Sequence, residues 1–240
     1  MTQTRLGTMI PSPIKQALRR STVDRPFVHR LVTRIFFERL IKKTENFAHC
    51  TWLGNRIWQN PLDLWTIQET ITELRPALLI ESGTNRGGSA LFFTGLFELL
   101  GTGEILTIDI QKMHEVVHPR IEFVVGSSLA ESTIARVRAR AAAASGPIMV
   151  ILDSDHSEPH VFKEMELYGP VVTPGSFMLV QDGVIDLPSG GGDRPGPLPA
   201  IKRFLASNPQ FEVDHERCGR FLITHHPLGW LRRKASPRIC

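Results

Sequence analysis

Residues 78–93 read LLIESGTNRGGSALFF, and the rest of the chain follows the pattern that this stretch begins. An apolar run ends in Glu81, the chain passes a glycine-rich turn, and an apolar pattern typical of a helix follows. In an open parallel sheet, ligands bind beyond the carboxyl ends of the strands, where a glycine-rich turn lets the backbone approach them closely. The spacing from Glu81 through Gly83 to Gly87 matches neither the dinucleotide fingerprint nor a phosphate-binding loop. The stretch therefore predicts a ligand-binding turn and leaves the ligand open.

The 240-residue chain continues as an alternation of strand and helix patterns. Strands are predicted at 77–82, 103–110, 121–128, 147–155, 175–183, 211–217 and 219–226. Helices are predicted at 30–43, 62–74, 87–100, 132–144, 160–172 and 200–208. Apolar strands that lack a polar face indicate a parallel sheet with helices on both faces. We therefore predict an α/β fold with a mostly parallel seven-stranded sheet, whose last two strands form an antiparallel edge hairpin.

Composition and charge limit the classes of function. Hydrophobic residues make up 42% of the chain and the net charge is +4. No apolar run approaches the roughly 20 residues that span a bilayer. The three cysteines, Cys50, Cys218 and Cys240, are too dispersed for a disulfide framework or a paired zinc site, which favours a cytoplasmic protein. The basic residues are not interleaved with aromatic residues on one face, so nucleic acid is not an expected partner.

Three parts are predicted along the chain. They are a basic arm and helix at 1–48, the α/β domain at 49–233 and a basic tail at 234–240. The helix at 30–43 is interpreted as a lid or a packing helix. A glycine- and proline-rich loop at 186–199 is longer than most connections, and such loops often act as lids over a ligand. The sequence leaves the oligomeric state open, including a homo-oligomer.

The turn after Glu81 resembles the first motif of S-adenosylmethionine-dependent methyltransferases. In that motif an acid at the strand end and glycines in the turn accommodate the amino-acid part of the cofactor. The next strand ends in TIDIQ, which places Asp109 at the neighbouring strand tip. A carboxylate there can accept hydrogen bonds from both ribose hydroxyls. A turn that is merely tight is the alternative interpretation of the glycines.

Acids occupy the ends of two consecutive predicted strands, Asp153 in ILDSDH and Asp182 in LVQDG. One crossover helix separates these strands, so the two carboxylates can converge above the sheet edge. Such oxygen ligands suit Mg²⁺, which keeps several waters and accepts substrate oxygens. His156 is the candidate general base for a hydroxyl proton. Two alternatives remain: Asp155 acts only as a cap of the next helix, and His160 is interpreted as a surface residue of that helix.

Five segments together resemble the cephalosporin hydroxylase / rhamnosyl O-methyltransferase family. They are WLGNRIWQNPLDLWTIQETITELRPALLIESGTNRGGSALFF, LTIDI, GSS, VILDSDHSEPHVFKEMELYGPVVTPGSFMLVQDGVID and GWLRR, within 50–233. The resemblance implies a Rossmann-like class I methyltransferase fold, S-adenosylmethionine as methyl donor and a Mg²⁺ site. It implies His156 as the catalytic base and Asp153, Gln181 and Asp182 as metal ligands. Carried over by position, the implied cofactor-binding residues are Gln59, Asp63, Glu81, Gly83, Thr84, Gly87, Ser89, Asp109, Ser127 and Asp153.

Gln181 departs from the family pattern. Members commonly pair an acid with the second aspartate, whereas this chain has Gln181 before Asp182. An amide oxygen can bind a cation, but a neutral ligand weakens the affinity, which puts metal dependence in question. We predict a Mg²⁺-assisted, S-adenosylmethionine-dependent O-methyltransferase that acts on a sugar or another polar natural product. A catechol-like or phenolic acceptor, and a cofactor-binding module without turnover, are the alternatives.

Overall fold

The computed structural model describes residues 26–43, 45, 49–187 and 194–235. The strands are β1 Thr51–Trp52, β2 Asn55–Arg56, β3 Leu78–Ser82, β4 Glu104–Asp109, β5 Ile121–Val125, β6 Ile148–Leu152, β7 Phe177–Val180, β8 Phe211–Val213 and β9 Trp230–Arg233. β1 and β2 form a small hairpin, and the other seven form one sheet in the order β5-β4-β3-β6-β7-β9-β8. β3 to β7 pair in parallel, and β9 is antiparallel to β7 and β8. The predicted mostly parallel sheet with an antiparallel edge is confirmed.

Helices cover both faces of the sheet, as predicted. They are α1 Pro26–Ile35, α2 Pro61–Leu74, α3 Gly88–Leu100, α4 Glu131–Ala143, α5 Glu158–Tyr168, α6 Pro197–Ser207 and α7 His215–Cys218, with a π-helical segment at Phe36–Lys42 and 3₁₀ turns at Gly169–Val171 and Gly183–Asp186. Successive side chains of a strand point to opposite faces. Leu79 of β3 accordingly packs with residues of α2 and α3, and Ile80 packs with residues of α4, α5 and α6.

The antiparallel edge is built from a different segment than predicted. β8 begins the predicted strand 211–217, but Asp214 then caps the short helix α7 by accepting a hydrogen bond from the Arg217 N–H. The predicted strand 219–226 forms turns instead. Its place in the sheet is taken by β9, which buries its first two side chains against the core. The predicted position of the last strand was therefore wrong.

Helix α1 does not pack through its apolar side chains. α1 contains no buried residue, so the packing role predicted for 30–43 does not apply to it. Phe36 and Phe37 in the π-helical segment contact the domain instead. The predicted arm before Pro26 and residues 188–193 of the predicted loop lie outside the described residues. In the described part of the chain, no helix has the length and apolar content needed to cross a membrane.

Candidate active site

A cavity of about 670 Å³ lies beyond the carboxyl ends of the parallel strands. Open α/β sheets bind ligands at this edge. The predicted site residues that line the cavity are Gln59, Gly83, Thr84, Ser89, Asp109, Ser127, Asp153, His156 and Asp182. The predicted site residues that lie outside this lining are Asp63, Glu81, Gly87 and Gln181.

Two glycines allow the turn after β3 to lie close to its neighbours. Gly83 has a φ of +99°, and a Cβ there would lie 2.0 Å from the carbonyl oxygen of Asp153. A Cβ at Gly88 would lie 2.0 Å from the carbonyl oxygen of Arg56. Both positions therefore require glycine for packing. Gly88 also begins α3, so the free backbone N–H groups of this helix end lie at the cavity wall, where they favour an anionic group.

Glu81 lies beneath this turn and is only 1% exposed. Its Oε2 accepts a 2.6 Å hydrogen bond from Thr107 Oγ1, which lies 2.7 Å from Thr84 Oγ1. Burial raises the pKa of Glu81 to about 7, although hydrogen bonds from Ser89 and Thr107 oppose the rise. The carboxyl group is therefore balanced between its neutral and ionised forms, and a positive ligand group nearby would favour the ionised form.

Asp109 is held by the backbone at the tip of β4. Its Oδ2 accepts a 2.7 Å hydrogen bond from the Asn85 N–H, and its Oδ1 accepts a 3.1 Å hydrogen bond from the Gln111 N–H. A carboxylate offers about four lone-pair positions. Two of these remain for a ligand in the cavity, which suits a pair of vicinal hydroxyl groups.

Asp153, His156 and Asp182 meet at one point of the cavity. His156 Nε2 lies 3.2 Å from Asp153 Oδ1 and 3.6 Å from Asp182 Oδ2. One potential ligand atom from each of the three residues lies within 4.8 Å of the others. Two carboxylates and one imidazole are a donor set that can hold a divalent cation.

The charges of this cluster act on one another. Burial raises the pKa of Asp153 to about 6, and the hydrogen bond from His156 opposes that rise. Burial alone lowers the pKa of His156, but the hydrogen bond to Asp153 and the negative charges of Asp182 and Asp153 outweigh burial and raise the pKa to about 9. At neutral pH the ligand-free cluster therefore holds its proton on His156. Neutralising the two carboxylates favours the neutral imidazole, which is the form that a base requires.

The backbone of Asp182 is fixed from outside the cavity. Asp182 has a φ of +57°, a conformation that few residues other than glycine adopt, and its N–H donates to His226 Nδ1 at 3.1 Å. His226 lies on a segment held by the buried Asp63, whose carboxylate accepts from Thr224 Oγ1 at 2.6 Å and from the His225 N–H at 2.9 Å. Asp63 thus supports the segment that fixes Asp182, instead of lining the cavity.

Gln59 connects the two strand tips. Its Nε2 donates to Gln181 Oε1 at 2.8 Å and to Asp153 Oδ2 at 3.0 Å. Gln181 is 2% exposed, and the amide oxygen that the sequence assigns to the metal is engaged with Gln59 in this arrangement. The assignment of Gln181 as a ligand stays a prediction. Gln59 meanwhile orients one oxygen of Asp153, which leaves the other oxygen to His156.

Sequence reasoning missed several residues of the cavity. His160, interpreted as a surface residue, lines the cavity with its Nε2 at 3.1 Å from Ser128 Oγ and 3.2 Å from Ser154 Oγ. The sequence signal that could have indicated His160 is its i, i+4 spacing from Glu164, with which it pairs in the structure. Trp58 also lines the cavity and is 55% exposed, and its position beside Gln59 gave no comparable signal.

Comparisons with known proteins identify the family of this chain. The family described as Rhamnosyl O-methyltransferase/CmcI matches residues 44–234. A rhamnosyl O-methyltransferase of Mycobacterium bovis (strain BCG / Pasteur 1173P2) is 35% identical over 195 residues, which cover 76% of this chain and 78% of the relative. The rhamnosyl O-methyltransferase of Mycobacterium leprae (strain TN) is 34% identical over 193 residues, which cover 77% of this chain and 83% of the relative.

Solved structures share the fold. A CmcI structure described as containing Mg and S-adenosylmethionine superposes with a TM-score of 0.64 at 19% identity, and the match covers 79% of this chain and 78% of that chain. MycE from the mycinamycin biosynthetic pathway, described as a complex with Mg and S-adenosylhomocysteine, gives a TM-score of 0.51 at 18% identity over 73% of this chain and 50% of that chain. The Rossmann-like fold and the sequence matches agree. The chain belongs to the rhamnosyl O-methyltransferase/CmcI family of S-adenosylmethionine-dependent O-methyltransferases.

Proposed function

We propose that the protein transfers a methyl group from S-adenosylmethionine to a hydroxyl group of a sugar, assisted by Mg²⁺. The convergence of Asp153, His156 and Asp182 carries this proposal, because it lies in the same cavity as the glycine turn and Asp109. A hydroxyl group held at the three side chains would share one cavity with the methyl donor. Methyl transfer requires this proximity, since the acceptor oxygen must be aimed at the methyl carbon.

The carboxylate, the ammonium group and the ribose hydroxyls of the methyl donor each have a matching group among the described residues. The N-terminus of α3, with Gly88 and Ser89, suits the methionine carboxylate. Glu81 beneath the turn supplies negative charge that favours the methionine ammonium group. The two free lone-pair positions of Asp109 suit the ribose hydroxyls. The other predicted cofactor residues on the cavity wall are Gln59, Gly83, Thr84, Ser127 and Asp153.

The side chains at the two strand tips are suitable ligands for Mg²⁺. Asp153 and Asp182 supply two carboxylates beside a cavity that is open to water and substrate, which is the environment that Mg²⁺ prefers. When bound, Mg²⁺ would lower the pKa of the acceptor hydroxyl and fix its oxygen. The neutral imidazole of His156 would take the hydroxyl proton.

The acceptor side of the cavity favours a sugar. Trp58 presents an exposed aromatic ring at the cavity, and such a ring can pack on the C–H face of a sugar. Among the described lining residues there is one tryptophan and no phenylalanine, so the aromatic lining that would favour a phenolic acceptor is not found. The relatives are named for rhamnosyl groups, which supports a deoxysugar as acceptor. A place in cytoplasmic natural product biosynthesis is part of this proposal.

The experiment that tests the function measures transfer of labelled methyl groups from S-adenosylmethionine to a panel of glycosides, with free phenols and catechols for comparison. We expect a labelled rhamnoside or related glycoside, at a rate that depends on Mg²⁺. Calorimetry should show micromolar binding of S-adenosylhomocysteine, about 8 kcal/mol. If only catechols are labelled, the acceptor is a catechol and the proposed sugar acceptor is wrong. Failure to bind S-adenosylhomocysteine would overturn the proposal.

Gln181→Glu is expected to tighten Mg²⁺ binding by about 3- to 10-fold, or roughly 0.7 to 1.4 kcal/mol. The change adds a negative charge beside Asp153, and Gln59 can still donate to the new carboxylate. The Mg²⁺ concentration that gives half-maximal turnover measures the effect. Gln210→Glu, at an exposed position just before β8 and outside the cavity lining, adds the same charge and is the control for altered net charge. An unchanged Mg²⁺ dependence in Gln181→Glu would show that position 181 does not face the cation.

A further inference from the structure

α1 presents an apolar face to solvent. Phe27, Leu31, Val32 and Ile35 are 65%, 46%, 48% and 51% exposed. At about 100° per residue these side chains share one side of the helix. Clustered exposed side chains of this size mark an interaction surface.

Basic residues border the apolar face of α1 and continue in the segment after it. Between 26 and 43 the basic residues are Arg30, Arg34, Arg39, Lys42 and Lys43, against the single acid Glu38. The basic and acidic residues of the rest of the chain are equal in number, so this segment accounts numerically for the net charge of +4. On α1 itself, at about 100° per residue, Arg30 and Arg34 lie beside Phe27 at the edge of the apolar face that is away from Val32. The helix is therefore amphipathic and cationic.

This surface is anchored beside the candidate active site. Phe36 and Phe37, which continue α1, pack against Val184 and Ile185. These two residues belong to the 3₁₀ turn that directly follows Asp182. A partner bound by α1 would consequently lie near the edge of the sheet where the cavity opens.

We propose that α1 docks the protein on a membrane surface that contains anionic lipid. A basic amphipathic helix lies in the plane of the interface, with its apolar side at the acyl boundary and its basic residues at the anionic headgroups. The apolar face of α1 and its basic residues both match an anionic membrane surface. A second copy of the chain would cover the apolar face but would bring two cationic segments together, which charge repulsion disfavours. The proposal is independent of the proposed methyl transfer.

Sedimentation of the full-length protein with lipid vesicles tests the proposal. We expect binding to phosphatidylcholine vesicles that contain phosphatidylglycerol, weak binding to phosphatidylcholine alone, and release by salt. Leu31→Ser combined with Ile35→Ser, and separately Arg30→Gln combined with Arg34→Gln, should each reduce binding at least tenfold. S-adenosylhomocysteine affinity should not change in either variant.

Matched controls are available on α3 and α4. Leu99→Ser removes a leucine that is 87% exposed, more than the 46% of Leu31, and Arg138→Gln removes an exposed arginine. Both variants should bind vesicles like the wild type. Absence of binding to anionic vesicles, or wild-type binding by both double variants, would overturn the proposal. Sedimentation velocity tests the alternative of a second copy. If the wild type is a dimer and Leu31→Ser combined with Ile35→Ser makes it a monomer, the apolar face binds a second copy, and the membrane proposal is overturned.

Discussion

Asp182→Asn is expected to lower the rate of methyl transfer about 10³-fold or more, about 4 kcal/mol of transition-state stabilisation, with cofactor affinity within about twofold of the wild type. Asp182 is one of two carboxylates in the cluster, so its loss halves the negative charge available to a cation. Asparagine is the informative replacement. It adopts positive φ readily and preserves the backbone N–H that donates to His226, whereas alanine would be strained at a φ of +57°.

Turnover is measured with Mg²⁺ and again in excess EDTA, and calorimetry with S-adenosylhomocysteine measures the cofactor site separately. Glu166→Gln, on the exposed side of α5, controls for the change in net charge. The turnover of Asp182→Asn in Mg²⁺ should be close to the low turnover that the wild type shows in excess EDTA. The metal proposal fails if the wild type keeps full turnover in EDTA and Asp182→Asn is equally active, because the strand tips would then carry no required cation.

The parallel sheet could be predicted because its signal is local. Strands such as β3 and β6 are continuous apolar runs, and the alternation with helices follows from the order of the runs alone. The edge strand could not be predicted in this way. The stretch 219–226 has strand-like residues, but Thr224 and His225 are hydrogen-bonded to Asp63, about 160 positions earlier in the chain. A distant contact therefore overrides the local pattern.

The residues of the candidate site also differ in whether the sequence alone could predict them. Asp109, Asp153 and Asp182 could be predicted because each lies at or just after the end of a strand, and the carboxyl ends of parallel strands share one edge of the sheet. The residues that orient these three aspartates could not be predicted from the sequence. Gln59 reaches Gln181 across 122 positions, and His226 reaches Asp182 across 44. Contacts at such separations depend on the folded chain, so the sequence indicated the acids and missed the groups that fix their geometry.

His156→Ala is expected to lower the rate of methyl transfer about 10²- to 10⁴-fold, the usual contribution of a general base. An alcohol that keeps its proton is a poor nucleophile, and the imidazole lies at the two carboxylates where the hydroxyl group would be held. His156→Gln should be as slow as His156→Ala, because the amide is polar but takes no proton. His215→Ala, on an exposed position of α7, is the control for loss of an imidazole elsewhere.

The dependence of the rate on Mg²⁺ concentration decides what His156 does. If His156 is the base, its removal lowers the rate at saturating Mg²⁺ and leaves the half-saturating concentration within a few-fold of the wild type. If His156 is mainly a ligand, which the distances within the cluster also allow, its removal shifts the half-saturating concentration upward and high Mg²⁺ restores the rate. Restoration of wild-type turnover by Mg²⁺ alone would therefore contradict the assignment of the proton to His156.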